Sequence, residues 1–425
     1  MGHETIAPNP WMILPFAILL GTIALAPLLF GGWWLKHYPK VAIGLGAITL
    51  AYYWYGFSGD NSKIAHGRVW GTAHEYVSFI ALIGSLYVVS GGIHIRVKGE
   101  ATPMVNVLFL LVGALLANVL GTTGASMLLI RPWIRMNKYR ITAHHIVFFI
   151  FIVSNVGGCL TPIGDPPLFL GYLKGVPFWW VAEHCWPMWA VGLGFLLVTF
   201  FVVDCFNFKL APENIRKKET EQEGWHLEGL PNLFFLAVIL GAIFIDKPAF
   251  LREALMILAA VGSYYTTKKP VHEANHFNFH PIQEVAILFI GIFATMIPAL
   301  DWLELNAAKL GEPTPGFFFW GSGILSSALD NAPTYLSFLS ALIGATHDSD
   351  IHHLLATNGI SVVAISVGAV FFGACTYIGN GPNFMVKSIA DQQKVHAPSF
   401  LAYIFKFALP VMLPMLVIVW LIFFR

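Results

Sequence analysis

Long apolar stretches separated by short polar breaks run along almost the whole chain. The first covers residues 11–30. At 1.5 Å per residue, about 20 residues cross a bilayer core of about 30 Å. Others cover residues 41–56, 74–95, 141–155 with a continuation near Leu168, and 179–206. A second series follows at 230–245, 250–265, 282–300, 358–374 with a continuation near Phe384, and 400–424. Between the two series lies the only charge-dense stretch, residues 207–228, with Glu213, Arg216, Lys217 and Lys218 at its centre. It reads as a cytoplasmic linker between two halves, residues 1–206 and 229–425.

Two further apolar segments are interrupted in the middle. Residues 103–120 lead into Gly121-Thr122-Thr123-Gly124 and then about 12 residues to Met136, and residues 315–329 lead into Asp330-Asn331-Ala332-Pro333 and then about 13 residues to Thr346. Twelve helical residues cover about 18 Å, too short to cross. Each segment, 103–136 and 315–346, is therefore expected to be a re-entrant helical hairpin, a structure tolerated at depth only inside protein or beside a water-filled cavity. Residues 141–173 and 358–391 read as broken transmembrane helices.

The halves repeat. His74-Glu75 falls on Gln283-Glu284, and Leu120-Gly121-Thr122 on Leu329-Asp330-Asn331, both 209 positions on. The run from Thr161 to Phe169 falls on that from Thr376 to Phe384, now 215 positions on. An insertion around residues 346–353 accounts for the change. Each half then has five crossings, an odd number, so the halves are expected to be inverted, as in many secondary transporters. With the N-terminus outside, sixteen basic residues fall on the opposite side against seven on its own. That asymmetry makes the richer side cytoplasmic and leaves both termini periplasmic.

Composition agrees. Of 425 residues 57% are hydrophobic and 11% charged, which excludes a water-soluble enzyme, and the net charge of +1 offers nothing to a nucleic acid. Four scattered cysteines (Cys159, Cys185, Cys205, Cys375) form neither a disulfide frame nor a zinc pattern. The expectation is an all-α polytopic membrane protein whose solvent is the lipid bilayer, not an enzyme, with no cofactor.

The chemistry gathers at the tips and breaks, where backbone carbonyls lose helical partners. Thr122 and Thr123, then Ser154, Asn155, Thr161 and Asp165, supply oxygen in the first half; Asp330, Asn331, Thr376, Asn380 and Asn383 do so in the second. Oxygen-only ligation suits a hard cation. Asp165 and Asp330 stand out, because a carboxylate at bilayer depth costs about 2.5–3.5 kcal/mol even on a lenient scale. Each also precedes a proline and could be a helix N-cap. In an apolar pocket a carboxylate holds a proton or a cation and hardly both, which is the minimum needed for exchange. Glu75 and Glu284, at matching positions of the third span, are either proton relays or interfacial charges. His144-His145 reads as an interfacial pair that could sense pH. An outward loop with His347, Asp348, Asp350, His352 and His353 reads as solvated.

The runs Ser154-Asn-Val-Gly-Gly-Cys-Leu-Thr-Pro-Ile-Gly-Asp165 and Ser327-Ala-Leu-Asp330-Asn-Ala-Pro-Thr334 resemble the signatures of NhaD-type sodium/proton antiporters, in the ion-transporter superfamily that also holds arsenite permeases and citrate or dicarboxylate carriers. The resemblance implies a homodimer in a bacterial inner membrane that exchanges sodium or lithium for protons by alternating access, with sodium at Asp165 and Asp330. It implies one ion site per half. Thr122, Thr123, Asn155, Thr161 and Asp165 would form the first, and Asp330, Asn331, Thr376 and Asn380 the second. The tips depart from the Ser-Asn-Thr of the carboxylate carriers. The alternative is a sodium-coupled citrate-like carrier, whose anion would sit at the positive ends of the half-helices.

Overall fold

The computed structural model describes residues 6–96, 101–210, 226–245, 247–311 and 313–425. The chain is an all-α polytopic membrane protein. Among the described residues, seven helices are long and apolar enough to cross a bilayer. One of these, Pro103–Met136, turns back at its middle, and another, Ile351–Cys375, ends in a break.

In chain order the first half contains α1 (Leu14–Leu29), α2 (Gly31–Tyr55), α3 (Asp60–Gly91), α4 (Pro103–Met136), α5 (Ala143–Ile152), α6 (Pro166–Leu173) and α7 (Phe178–Leu210). The second contains α8 (Asn232–Ala242), α9 (Leu251–Thr266), a short α10 (Lys269–Ala274), α11 (His280–Asn306), α12 (Pro315–Ala328), α13 (Asn331–Thr346), α14 (Ile351–Phe372) and α15 (Gly381–Gln392). The last span is helical over Phe400–Tyr403, a π-helix over Ile404–Met412 around Pro410, and α-helical again over Leu413–Phe423.

Several helices outrun the apolar stretches that announce them. α2 begins at Gly31, ten residues before the expected start at residue 41, so Lys36 and Lys40 lie on a helix and not in a loop. α3 begins at Asp60 rather than residue 74, and α14 at Ile351 rather than 358. In α3 and α14 the added turns are rich in polar residues that continue a helix beyond the greasy core, and Asp350 caps α14 with Oδ1 accepting from His352 N at 2.9 Å. Ile95, expected at the end of a span, lies instead in a strand: His94–Arg96 pairs antiparallel with His226–Glu228. Of the charge-dense linker, residues 211–225 lie outside the described residues.

Helices approach closely through small residues, as is usual where lipid supplies no hydrophobic drive between them. On α11, a Cβ added to Gly291 would stand 2.7 Å from the Ala42 carbonyl of α2. Phe79 of α3 stacks on Phe289 of α11 with ring centroids 4.7 Å apart. A polar seam joins the same elements: Arg68 pairs with Asp301 at 3.1 Å and Glu304 at 3.0 Å, and Tyr53 donates to Asp301 at 2.7 Å. These contacts tie α2, α3 and α11 into one unit beside the hairpins and broken helices.

Candidate functional site

Both interrupted segments fold back. In α4 the reversal is at Gly121, whose φ of +73° is accessible to glycine and strained for other residues. A Cβ on Gly113 would meet Leu129 Cδ1 at 3.2 Å, which places the two arms face to face about Gly121. In the second hairpin the arms are α12 and α13, and Phe317 and Phe318 of one arm pack on Phe338 of the other.

The two breaks are built alike. In the first, Thr161 Oγ1 donates to the Asn118 carbonyl at 2.6 Å, and in the second, Thr376 Oγ1 donates to the Ser327 carbonyl at 2.7 Å. Each bond fastens a break to the hairpin arm of its own half. Each break also folds through a glycine pair: a Cβ on Gly164 would lie 2.0 Å from the Gly158 carbonyl oxygen, and one on Gly379 2.6 Å from that of Gly373. No other residue fits where two backbones come this close.

Asp165 lies at the centre and is fully buried. Its Oδ1 accepts from Thr122 Oγ1 at 2.8 Å and from Asn380 Nδ2 at 2.9 Å, and its Oδ2 accepts from Asn331 Nδ2 at 2.5 Å. Thr122 comes from the first tip, Asn331 from the second tip and Asn380 from the second break. Residues assigned by resemblance to two separate sites thus meet on one carboxylate. All four stand at helix N-terminal ends: Asp165 before α6, Thr122 at the start of the second arm of α4, Asn331 at the start of α13, and Asn380 before α15. The partial positive charge of those ends favours an anion, and among the described residues no side-chain cation bonds to it.

A network of asparagines extends from this point. Asn380 Nδ2 also reaches Asn155 Oδ1 at 3.2 Å, and Asn155 Nδ2 donates to Asn383 Oδ1 at 2.7 Å. Asn383 in turn donates to the Gly373 and Thr376 carbonyls, both at 2.8 Å. The two breaks therefore interlock across the halves. Of the described residues that bond to Asp165, Asn331 keeps one buried atom without a partner: its Oδ1, on the amide whose other end holds Asp165. A buried, unfilled carbonyl oxygen next to a carboxylate is what a small cation would ligate.

The two aspartates separate in role. Asp330 is the N-cap of α13, its Oδ1 accepting from Ala332 N at 3.0 Å, whereas Asp165 at the matching position before α6 makes no capping bond and gives both oxygens to the centre. Thr123 lines a narrow crevice between α3 and the first tip, with Leu86, Ile163 and Phe169. Glu75 forms an ion pair with Lys174 at 2.6 Å, and Glu284 is half-buried on α11; neither bonds to any residue around Asp165.

His144 and His145 pack inside the protein rather than on its surface. Both are buried and lie against Asp204 Oδ1, at 3.4 and 3.1 Å, and Arg140 pairs with both oxygens of Asp204. Asn106 of the first hairpin donates to the same carboxylate at 2.9 Å. Asp204 escaped the sequence reading although it is a lone acid within an apolar span, the signal that singled out Asp165. With Arg140 on both of its oxygens it clamps α4, α5 and α7 together.

The family model described as "Putative citrate transport" (CitMHS_2) matches residues 5–424. The chain belongs to that family. A comparison with curated proteins found no match. Membership makes the chain a membrane transporter.

Proposed function

We propose that the chain is a cation-coupled secondary transporter of a small carboxylate, in which Asp165 and Asn331 take the coupling ion. The cargo class rests on the family's citrate-transport description. The coupling site rests on one observation, the pairing of a buried carboxylate with the unfilled Asn331 Oδ1 where four helix ends meet. Sodium or lithium bound there would neutralise Asp165, and a neutral centre crosses the barrier at far lower cost than a charged one. Thr122 and Asn380 hold the carboxylate in place. The N-terminal ends of α13 and α15 bring partial positive charge to the centre. Asp330 adds a second acid near the site while capping α13.

The same centre supports a second reading, sodium or lithium exchange for protons. What favours it is that Asp165 has only neutral partners, so a proton and a metal ion would compete for it directly. On either reading the halves act as inverted repeats, and their hairpins and broken helices move as a transport domain against α2, α3 and α11. The protein works in a bacterial inner membrane with both termini periplasmic, as a homodimer.

Proteoliposomes with an internal pH dye and an imposed sodium gradient test the cargo. Accumulation of labelled citrate driven by sodium supports the first reading. Proton movement on adding sodium, with no carboxylate taken up, supports the second and overturns the first.

A further inference from the structure

The helix after the first break is tied to its surroundings by two side chains at its C-terminal end. Lys174, the C-cap residue of α6, pairs with Glu75 of α3 at 2.6 Å, and both side chains are partly buried. Tyr172, two residues earlier, donates its hydroxyl to the Ile243 carbonyl, just past the end of α8, at 2.9 Å. One turn nearer Asp165, Phe169 is 1% exposed and lines the crevice beside the first tip together with Leu82, Ile83 and Leu86 of α3. α6 is thereby fastened to α3 along its length.

The matching helix of the second half, α15, makes none of these ties. At the 215-residue offset of the breaks, Phe169 falls on Phe384, Tyr172 on Lys387 and Lys174 on Ile389. Phe384 is 59% exposed. Lys387 pairs with Asp391 at 2.6 Å, one turn along its own helix. Ile389 carries no charge, so Glu284, which stands on α11 where Glu75 stands on α3, has no cation at the matching place. These differences are of two kinds. Burial of Phe169 against exposure of Phe384 is a difference of conformation between two copies of one helix, and inverted repeats exchange such differences when a transporter reverses its facing. Lysine against isoleucine is a difference of sequence, which no movement exchanges.

We propose that the Glu75–Lys174 pair is a one-sided latch that biases the resting protein toward the state described here. This rests on alternating access, which both readings above share, and not on the identity of the cargo. In this state α6 closes against α3. On the orientation proposed above that is the periplasmic end, and Phe384 is left open at the cytoplasmic end. In the opposite state α15 closes instead, Phe384 becomes buried, and the crevice opens on the side of Lys174. No ion pair of α15 replaces the one that α6 gives up. The attraction therefore acts on one side of the equilibrium only, which is what shifts a population.

The test is labelling of single reporter cysteines by a membrane-impermeant maleimide, in the full chain and in vesicles of both orientations, with the parent's own reaction subtracted. Phe384→Cys is expected to react, and Ile83→Cys, on the crevice wall, to be protected. Lys174→Met and Glu75→Gln should each speed the labelling of Ile83→Cys roughly threefold or more and slow that of Phe384→Cys. The exchanged pair Glu75→Lys/Lys174→Glu should return both rates to those of the parent, which a merely structural role for either residue does not predict. Thr123→Cys, on the opposite wall, serves if Ile83→Cys is not monodisperse. Unchanged rates in Lys174→Met and Glu75→Gln, in a chain shown to move citrate or protons, overturn the latch and leave the transport reading standing. A Phe384→Cys that never reacts faces lipid and overturns the exchange. A parent that moves neither citrate nor protons overturns the transport reading itself.

Discussion

Asn331 and Asp165 are 166 residues apart, on a hairpin tip of one half and a helix break of the other, yet Asn331 Nδ2 donates to Asp165 Oδ2 at 2.5 Å. That bond joins the halves at the point where a charge would have to be neutralised before anything moves. It also fixes the orientation of the Asn331 amide, which leaves Oδ1 as the unfilled ligand.

Replacing Asn331 by Asp keeps the size and replaces a donor to Asp165 by a second carboxylate against the first. We expect folded protein whose sodium dependence is lost or shifted at least tenfold, measured as the half-saturating sodium concentration for uptake. An unchanged value would remove Asn331 from the site.

Asp330→Asn keeps the cap on α13, since Asn caps about as well as Asp, and deletes only the charge. Transport is expected to slow but persist. Asp330→Ala also loses the cap and should cost about 1 kcal/mol, visible as a lower melting temperature in detergent. Equal melting temperatures for the two variants would contradict the capping role.

Gly164→Ala would drive a Cβ to 2.0 Å from the Gly158 carbonyl oxygen, and Gly379→Ala one to 2.6 Å from Gly373. Both should destabilise by about 3 kcal/mol or fail to fold, the first more severely. Thermal stability in detergent reads this directly, and a parent-like Gly164→Ala protein would mean the break is not closed as described.

Arg140→Gln leaves Asp204 buried against two histidines without its guanidinium, at an expected cost of about 3–5 kcal/mol. The double variant Arg140→Met/Asp204→Leu should recover most of that stability, because it removes both charges. If single and double variants melted alike, the pair would not be the clamp between α4, α5 and α7.

How much of this was legible in the sequence depends on the kind of signal. The tips at Gly121 and Asp330 and the breaks at Asp165 and Asn380 were readable because a polar cluster inside an apolar run has few places to go. Helix starts at Gly31 and Asp60 were not, since residues such as Lys36, Lys40, Lys63 and Arg68 break an apolar stretch without breaking a helix. The strand His94–Arg96 was also out of reach, because its partner His226–Glu228 lies at the far end of the linker. Within the site, residue types were visible and partnerships were not. Spacing within each half cannot show that Asn331 and Asn380 cross over to Asp165, which is a consequence of how the halves pack. Asp204 was visible and passed over: a single acid in an apolar span carries the same argument wherever it occurs.

The most direct test of the central claim compares the parent protein with Asp165→Asn, both reconstituted and both shown to be monodisperse, for sodium-driven accumulation of labelled citrate. Asn at this position meets three donors, from Thr122, Asn331 and Asn380, without the charge that holds them and without a ligand for sodium. The account predicts that the parent accumulates citrate only under an inward sodium gradient and that Asp165→Asn accumulates none. Sodium-driven accumulation by Asp165→Asn at the parent's rate would contradict it.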